Sequence, residues 1–292
     1  EAKKNPLSLA FAIPDHPWVD AADGAAVRIA MTVGSTSVDT GRLLQVREET
    51  ASKNMQDEIE VRLGEQRGIL FADLKTGANV TAAKQLQSNQ GIAIKGFELG
   101  NQGFLIEKEQ AIEIITNDQE NTKVLKPYLN GSQLVNGTVK FYVIDLHGFS
   151  DTDARAKYPN LYQIILDRVK DSRALNRESR TASKWWLFRR SGQALRDAVS
   201  NIDRYIATTR TAKHRVFQFL DSSYISESKI VVVALDSALK LGCLGSRIHC
   251  YWAISSGASL GIGNDPTYNH TDCFETFPFP EANETQKATI RD

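Results

Sequence analysis

The sequence predicts a mixed α/β (α+β) fold. The chain has 292 residues, of which 41% are apolar, and this is enough to bury one or two hydrophobic cores. Short runs of β-branched and aromatic residues, typical of strands, occur beside runs with helical spacing of apolar positions. No internal repeat is visible. Together these observations favour helices and sheets packed in the same chain.

Strands are predicted first in the N-terminal part. Residues 26–34 and 41–48 are strand-like and are separated by a Gly/Ser/Thr turn, which predicts a hairpin. Before them, residues 11–24 have the composition of a turn-rich loop, anchored by Trp18. Further on, residues 107–115 predict a short helix, and the polar stretch that follows predicts a surface loop.

The middle of the chain gives clearer signals. Residues 140–146 predict a strand, and Ser150 followed by Asp153 has the spacing of a helix N-cap pair. Pro159 then suits the first position of a helix. The apolar residues that follow at helical spacing are Leu161, Ile164, Ile165 and Val169.

The C-terminal third predicts more strands and a long helical region. Residues 191–202 fit a short amphipathic helix. Residues 236–255 look helical, interrupted by Gly242 and Gly245. The strand-like runs between them are residues 204–211, 214–220 and 229–235.

The charge distribution bears on possible partners. The formal net charge is +0, which excludes a generic polyanion binder. Between Asp167 and Arg215, however, thirteen Lys or Arg stand against five Asp or Glu, a local excess of +8. Such a run is either a solvated surface or a set of phosphate contacts.

The compartment follows from what the sequence contains. Three cysteines in a chain this long indicate a reducing environment. No apolar run approaches the roughly 20 residues of a membrane span, and the start has no signal-peptide core. We therefore expect a cytoplasmic protein with no membrane partner. Because the chain begins at Glu1 rather than Met, we also expect a fragment of a longer polypeptide.

One short motif suggests an enzyme. Asp265-Pro266-Thr267-Tyr268 differs by one residue from D-P-P-Y, the loop with which adenine-amino methyltransferases grip the base that they methylate. In such a loop the prolines fix the backbone and the aromatic residue stacks on the flipped base. Here Thr267 replaces the second proline, and no strand-linked glycine loop for S-adenosylmethionine precedes the motif. An intact small methyltransferase that uses this loop remains the alternative.

Metal and hydrolase sites are poorly supported. Adjacent residues on a helix point about 100° apart, so His249 and Cys250 do not readily share one ion. A single pair, His270 and Cys273, does not make a tetrahedral zinc site. Ser246 has no G-x-S-x-G context. We predict neither a metal site nor a catalytic residue.

A basic and aromatic segment is more informative. Residues 184–190, KWWLFRR, combine Trp185 and Trp186 with basic side chains. Residues 204–215 place Arg, Lys and Thr together, the residue types that contact phosphate oxygens on a duplex. A buried Trp pair under a solvated basic face explains the same composition, so composition alone leaves both interpretations open.

The order of several motifs resolves this. The motifs are KPYLNGSQL (126–134), VIDLHG (143–148), YPNLYQIILDRVKDSR (158–173), NR…WWLF (176–188), RYIATTRTAKHRVFQFLD (204–221), LGCLGSRIH…WA (241–253) and CFETFPFP (273–280). In this order they resemble the C-terminal target-recognition region of single-chain type II restriction–modification enzymes (subtypes G and L) and of related adenine-N6 DNA methyltransferases. The resemblance covers roughly residues 9–280.

The resemblance implies a domain organisation. Residues 1–60 would be the C-terminal strand hairpin of a truncated methyltransferase domain, and residues 61–125 a connecting segment. Residues 126–280 would be the DNA target-recognition domain, and residues 281–292 a polar tail. The family's cofactor and catalytic loops would precede Glu1. The chain is therefore expected to be catalytically inert and to hold no cofactor, with S-adenosylmethionine bound by the parent protein's methyltransferase domain.

The resemblance also implies site residues. Double-stranded DNA would be the partner, together with the methyltransferase domain of the same parent chain. In relatives the loop before the terminal Phe-Pro element reads bases, and here that loop supplies Asn264, Asp265 and Thr267. The expected phosphate contacts are Arg189, Arg190, Arg210, Lys213 and Arg215. A third interpretation is a protein-interaction module in which the Trp pair and FETFPFP dock a partner.

Overall fold

The computed structural model describes residues 7–18, 27–37, 39–51, 59–175, 178–260 and 265–290. The chain divides into two compact units. Unit 1 comprises Glu1–Lys84 with Ser259–Asp265, and unit 2 comprises Gln85–Ala258 with Pro266–Asp292. The domain boundaries expected after residues 60 and 125 stay a prediction, because compactness does not assign a segment to a parent domain.

Unit 1 contains a four-stranded sheet in the order β2-β1-β3-β4. The strands are β1 (Ser8–Trp18), β2 (Val27–Ser35), β3 (Gly41–Ala51) and β4 (Ile59–Gly68). Strand β1 pairs antiparallel with β2 and parallel with β3, and β4 pairs antiparallel with β3. A small apolar cluster of Ala12, Leu43 and Leu70 lies against this sheet.

The predicted hairpin of residues 26–34 and 41–48 is wrong in its pairing. Both runs are strands, but β1 lies between them in the sheet. Of the segment predicted as a turn-rich loop, residues 11–18 belong to β1, and residues 19–24 lie outside the described residues. The register of β1 with β2 shifts between Ile13 and His16, and this irregularity accommodates Pro14 within the strand. Trp18, expected to be an anchor, is 54% exposed.

Unit 2 contains two four-stranded sheets. One has the order β10-β9-β12-β5 and is antiparallel throughout. The other has the order β11-β7-β8-β6, with only the β11–β7 pair parallel. The strands are β5 (Ala93–Lys95), β6 (Leu105–Glu107), β7 (Leu125–Leu129), β8 (Phe141–Ile144), β9 (Arg204–Thr209), β10 (Gln218–Asp221), β11 (Ile225–Ser226) and β12 (Ile230–Val233). Two short strands, β13 (Ala258–Leu260) and β14 (Asp265–Thr267), pair with each other.

Nine α-helices are present in the described ranges, and with the sheets they confirm the predicted mixed α/β fold. They are α1 (Lys108–Asn117), α2 (Gly131–Asn136), α3 (Asp151–Lys157), α4 (Pro159–Ala174), α5 (Ser179–Ser183), α6 (Gln193–Val199), α7 (Ala238–Gly245), α8 (Arg247–Ser256) and α9 (Glu284–Ile290). The longest is α4, with sixteen residues. No helix in the described part of the chain is long and apolar enough to span a membrane.

Helix α4 forms as its sequence predicts. Pro159 occupies the first turn, where its missing N–H is not needed. Leu161, Ile165 and Val169 are fully buried and form the face that packs in the main core of unit 2. The preceding helix α3 begins at the predicted cap, since the Ser150 hydroxyl accepts a hydrogen bond from the Asp153 N–H at 3.1 Å.

The long helical region near residues 236–255 consists of two helices. Gly242 lies inside α7 without ending it, and the break falls at Ser246. The Ser246 hydroxyl accepts a hydrogen bond from the His249 N–H at 3.2 Å, which caps α8. Helix α8 and the terminal Phe-Pro element enclose a second apolar cluster that contains Phe217, Tyr268 and Phe274.

Candidate nucleic-acid interface

Two segments predicted to contact DNA are hydrogen-bonded to each other. The Tyr268 N–H donates to the Arg210 carbonyl at 2.6 Å, and the Ala212 N–H donates to the Pro266 carbonyl at 3.3 Å. Thr211 and Thr267 are therefore paired as in an antiparallel ladder. This pairing places Pro266 and Thr267 of the predicted base-reading loop directly beside the end of β9 and the basic residues that follow it.

The exposed groups at this pairing are polar or cationic. Arg210 and Lys213 are exposed, and within the described ranges neither side chain has an ion-pair partner. The Thr267 hydroxyl donates to the Ala258 carbonyl at 2.8 Å and keeps its own oxygen as an acceptor. Asp265 is half-buried. Asn264 lies outside the described residues.

The depression at this surface is small. Lys213, Ile254 and Thr267 are among the residues that line it, and its volume is about 20 Å³, which is room for about one water molecule. Pockets for small ligands measure roughly 300–1,000 Å³. The surface therefore suits contact with an extended partner and does not enclose a flipped base.

Tyr268 does not have the freedom that a catalytic loop requires. Its side chain is 1% exposed, and its hydroxyl shares a hydrogen bond of 2.9 Å with His249 Nε2. The ring packs edge-on against Phe217 at 5.4 Å between centroids. Burial raises the pKa of Tyr268 well above its ordinary value. An aromatic ring held in this way does not stack on a base, so this geometry speaks against the catalytic interpretation of Asp265-Pro266-Thr267-Tyr268.

Arg215 points its guanidinium into the protein. Nη2 donates to the Pro266 carbonyl at 3.0 Å, and Nη1 donates to the Thr209 carbonyl and, at 3.3 Å, to the Thr208 hydroxyl. The guanidinium also lies 5.2 Å from the centre of the Tyr268 ring. Burial lowers the pKa of Arg215. The guanidinium of Arg215 therefore donates its hydrogen bonds to the protein's own loop and strand, although its position in the sequence suggested a phosphate contact.

Arg189 and Arg190 occupy a different place in unit 2. The Arg189 guanidinium forms ion pairs with Glu98 at 2.9 Å and with Glu178 at 2.7 Å. The hydrogen bond from Arg189 is the main reason why the pKa of Glu178 is lowered to about 2. Arg190 is exposed, and its N–H donates to the Glu98 carbonyl at 3.2 Å. In the described residues no hydrogen bond or ion pair joins these two arginines to the Thr211–Thr267 pairing.

The comparison with known families decides to which family the chain belongs. A family model described as MmeI, target recognition domain, matches residues 77–281, more than half of the chain. The chain belongs to this family. The resemblance seen in the ordered sequence motifs is thereby confirmed.

A solved structure supports the same fold. It is that of the type IIL restriction–modification enzyme MmeI in complex with DNA, to which this chain is similar with a TM-score of 0.72 and 20% sequence identity. The match covers 97% of this chain and 36% of that chain. This chain thus spans about a third of the length of that enzyme. No curated protein matches the chain by sequence.

The Trp pair of this target recognition domain has an internal role. Trp185 is 7% exposed and packs edge-on against Tyr162 at 5.4 Å. The Trp186 indole donates to the Phe149 carbonyl at 3.1 Å. Phe274 and Phe277 of the FETFPFP element are buried as well. These contacts argue against a protein-interaction module built on the same residues, because the aromatic side chains pack inside the protein.

One cation of the target recognition domain was missed by the sequence reasoning. The Arg210 N–H donates to the Lys229 carbonyl at 2.7 Å, and the Lys229 side chain is exposed. Lys229 comes just before β12, which pairs antiparallel with β9. It lies nineteen residues from Arg210 in sequence, outside the basic run, so only the strand pairing brings the two cations together.

Proposed function

We propose that this chain recognises a specific sequence of double-stranded DNA, as the target recognition domain of a restriction–modification protein. The observation that carries the proposal is the hydrogen-bonded pairing of Thr211 with Thr267, which sets Thr267 beside exposed cations. Membership of the MmeI target recognition domain family supports it, as does similarity to an enzyme solved with DNA.

Affinity in this proposal comes from phosphate contacts. Arg210, Lys213 and Lys229 are exposed and lie around the end of β9. Each phosphate that such a cation neutralises releases counterions, so the logarithm of the binding constant falls by about 0.9 per unit of log salt concentration. These contacts set the register of the protein on the duplex without selecting its sequence.

Specificity comes from the loop. A carboxylate such as that of Asp265 accepts a hydrogen bond from the amino group of cytosine, and the Thr267 hydroxyl can accept or donate. We keep Asn264, Asp265 and Thr267 as the proposed base-reading residues. Each good bidentate base contact discriminates by roughly 1–3 kcal/mol.

The chemistry of methylation is proposed to lie elsewhere in the parent protein. A methyltransferase domain of the same parent chain would bind S-adenosylmethionine and flip the target adenine, in the cytoplasm. This chain would then bind no S-adenosylmethionine. Isothermal titration calorimetry with S-adenosylmethionine tests the point, since a saturable heat of binding would revive the alternative of an intact small methyltransferase.

Binding is tested with fluorescein-labelled 30-base-pair duplexes of random sequence, titrated by anisotropy at several salt concentrations. Lys213→Ala should reduce the magnitude of the log–log salt slope by about 0.9, which corresponds to one lost phosphate contact. Lys108→Ala, which removes the same charge from an exposed site on helix α1, is the matched control and should leave the slope unchanged. Absent or salt-insensitive binding would overturn the proposal.

Specificity is tested by selecting bound duplexes from the random pool and sequencing them. The chain should enrich one short motif. Asp265→Ala and Thr267→Val should change the preferred base at one or two positions of that motif, while Lys213→Ala weakens binding to all sequences alike. No enriched motif, despite salt-dependent binding, would reduce the function to nonspecific DNA binding.

A further inference from the structure

We propose that Arg215 is a positioning residue that holds the base-reading loop against strand β9, and that it does not contact DNA. This inference rests on the proposed function, because it concerns how the loop that reads DNA is kept in place. It changes the role that the sequence position of Arg215, close behind Lys213, suggests.

The first argument is the set of hydrogen bonds. The planar guanidinium spans two separate segments, with Nη2 on the Pro266 carbonyl and Nη1 on the Thr209 carbonyl and the Thr208 hydroxyl. Thr208 is fully buried and Thr209 is 7% exposed. One side chain thus ties the loop to the buried end of β9. A lysine ammonium lacks the rigid fork of donors needed to hold both segments in this geometry.

The second argument is the packing around the guanidinium. It lies 5.2 Å from the centre of the buried Tyr268 ring, and the Tyr268 hydroxyl is held in turn by His249 on helix α8. Within the described residues no carboxylate pairs with Arg215, so backbone carbonyls, a hydroxyl and a ring face are what offset its desolvation. The half-buried Arg215 and the buried Tyr268 and His249 therefore form one connection from β9 through the loop to α8.

The third argument is the Pro266 carbonyl. It accepts from Arg215 Nη2 at 3.0 Å and from the Ala212 N–H at 3.3 Å. Both bonds fix the backbone between Asp265 and Thr267, the two described residues proposed to read bases. A loop held at the correct position loses less entropy when it binds, and a loosened loop discriminates poorly between sequences.

Hydrogen–deuterium exchange tests the positioning role without DNA. In Arg215→Lys, the amides of Ala212 and Tyr268 should exchange at least about tenfold faster, because the pairing that protects them loosens. The amide of Val143 on β8 should be unaffected. Lys213→Ala is the matched control and should leave all three amides unchanged. Unchanged exchange at Ala212 and Tyr268 in Arg215→Lys would overturn the inference.

The DNA measurement distinguishes positioning from phosphate contact. Against the selected motif and a random duplex, Arg215→Lys should lower the specific-to-nonspecific ratio by about tenfold, the value of one base contact. Because lysine keeps the charge, Arg215→Gln is measured as well, and its salt slope should equal that of the wild-type chain. A slope reduced by about 0.9 in Arg215→Gln would identify a phosphate contact and overturn the inference.

Two safeguards keep the outcomes separate. If the Arg215 variants do not fold, Thr208→Val is measured instead. It removes one acceptor of Arg215 and also the hydrogen bond of 2.7 Å from the Thr208 hydroxyl to the Val216 carbonyl. It should still speed exchange at Ala212 and Tyr268, and no change there would overturn the inference. If wild-type chain binds no duplex, the proposed function fails. The exchange experiment then still decides whether Arg215 holds the loop.

Discussion

The burial of His249 predicts that the stability of unit 2 depends on pH. The imidazole is fully buried, and its ring lies 4.5 Å from the Phe277 ring between centroids. Its Nε2 shares the hydrogen bond with the Tyr268 hydroxyl, and within the described residues its Nδ1 has no partner. Burial, and secondly the positive charge of Arg215, lowers the pKa of His249 to about 4. The folded protein therefore keeps this imidazole neutral in ordinary buffers.

The sign and size of the effect follow from that pKa. In the unfolded chain the His249 pKa is 6.5, so between pH 6.5 and about 4 the unfolded state binds a proton that the folded state does not. Stability contributed by the neutral imidazole is complete above pH 6.5 and falls as the pH drops towards 4. At 1.36 kcal/mol for each pKa unit, the loss is roughly 3 kcal/mol. Its neighbours Tyr268 and Arg215 do not titrate in this window.

Urea unfolding at pH 7, 6, 5 and 4.5 measures this contribution. His249→Gln keeps an acceptor for the Tyr268 hydroxyl but has no titrating group, so its free energy of unfolding should fall less steeply with acid than that of the wild-type chain. The control His214→Gln removes an exposed histidine and should follow the wild-type curve. Parallel curves for His249→Gln and the wild-type chain would refute the reasoning.

Two further predictions concern stability. Leu161→Ala removes a side chain that is 0% exposed, and it should lower the free energy of unfolding in urea by about 2–5 kcal/mol. Leu175→Ala, at a residue that is 88% exposed, should change that free energy by no more than about 0.5 kcal/mol. Equal losses in the two variants would contradict the packing of α4. Arg196→Met breaks an ion pair in which the guanidinium donates two hydrogen bonds, of 2.7 and 3.0 Å, to the Asp145 carboxylate. The free energy of unfolding should fall by about 3–5 kcal/mol, because Asp145 is 8% exposed and is left without its cation. A near-neutral result would mean that water replaces the arginine.

Local signals predicted the elements that local chemistry determines. Pro159 and the apolar face beginning at Leu161 predicted α4, and Ser150 predicted the start of α3. These features depend on a few residues that are close together in the sequence. The ordered motifs predicted the family for a related reason, since most of the motifs are continuous runs of residues on one element or on two consecutive elements.

Pairing between distant segments could not be predicted in the same way. The position of β1 between β2 and β3, and the position of Lys229 beside Arg210, depend on register across a sheet. The prolines in residues 11–24 suggested turns, but an irregularity in the strand pairing accommodates Pro14. Similarly, Asp265-Pro266-Thr267-Tyr268 suggested a loop with a free aromatic residue. The residues that contact Tyr268 in the core, His249 and Arg215, are distant from it in sequence, so no local pattern indicates its burial.

The basic segment of residues 167–215 shows that a count of charges in the sequence does not tell which cations are free to bind DNA. Several of its arginines have internal partners: Arg173 on the carbonyls of Leu99 and Leu187, Arg189 on Glu98 and Glu178, Arg196 on Asp145, Arg204 on Asp236, and Arg215 on the loop. A count of charges treats these groups as free, although each would have to give up its partners to reach a phosphate.

Arg189 is the sharpest case, because the sequence suggests a phosphate contact and the structure gives it two carboxylates. If those ion pairs persist on DNA, Arg189→Gln should leave the salt slope of binding unchanged. Lys213→Gln removes the charge of a cation that has no ion-pair partner in the described part of the chain, and it should reduce the slope by about 0.9. Equal reductions would mean that Arg189 exchanges Glu98 and Glu178 for phosphate. In that event the surface that binds DNA would extend from the Thr211–Thr267 pairing to Arg189. The basic excess of residues 167–215 would then form the electrostatic surface that the composition suggests.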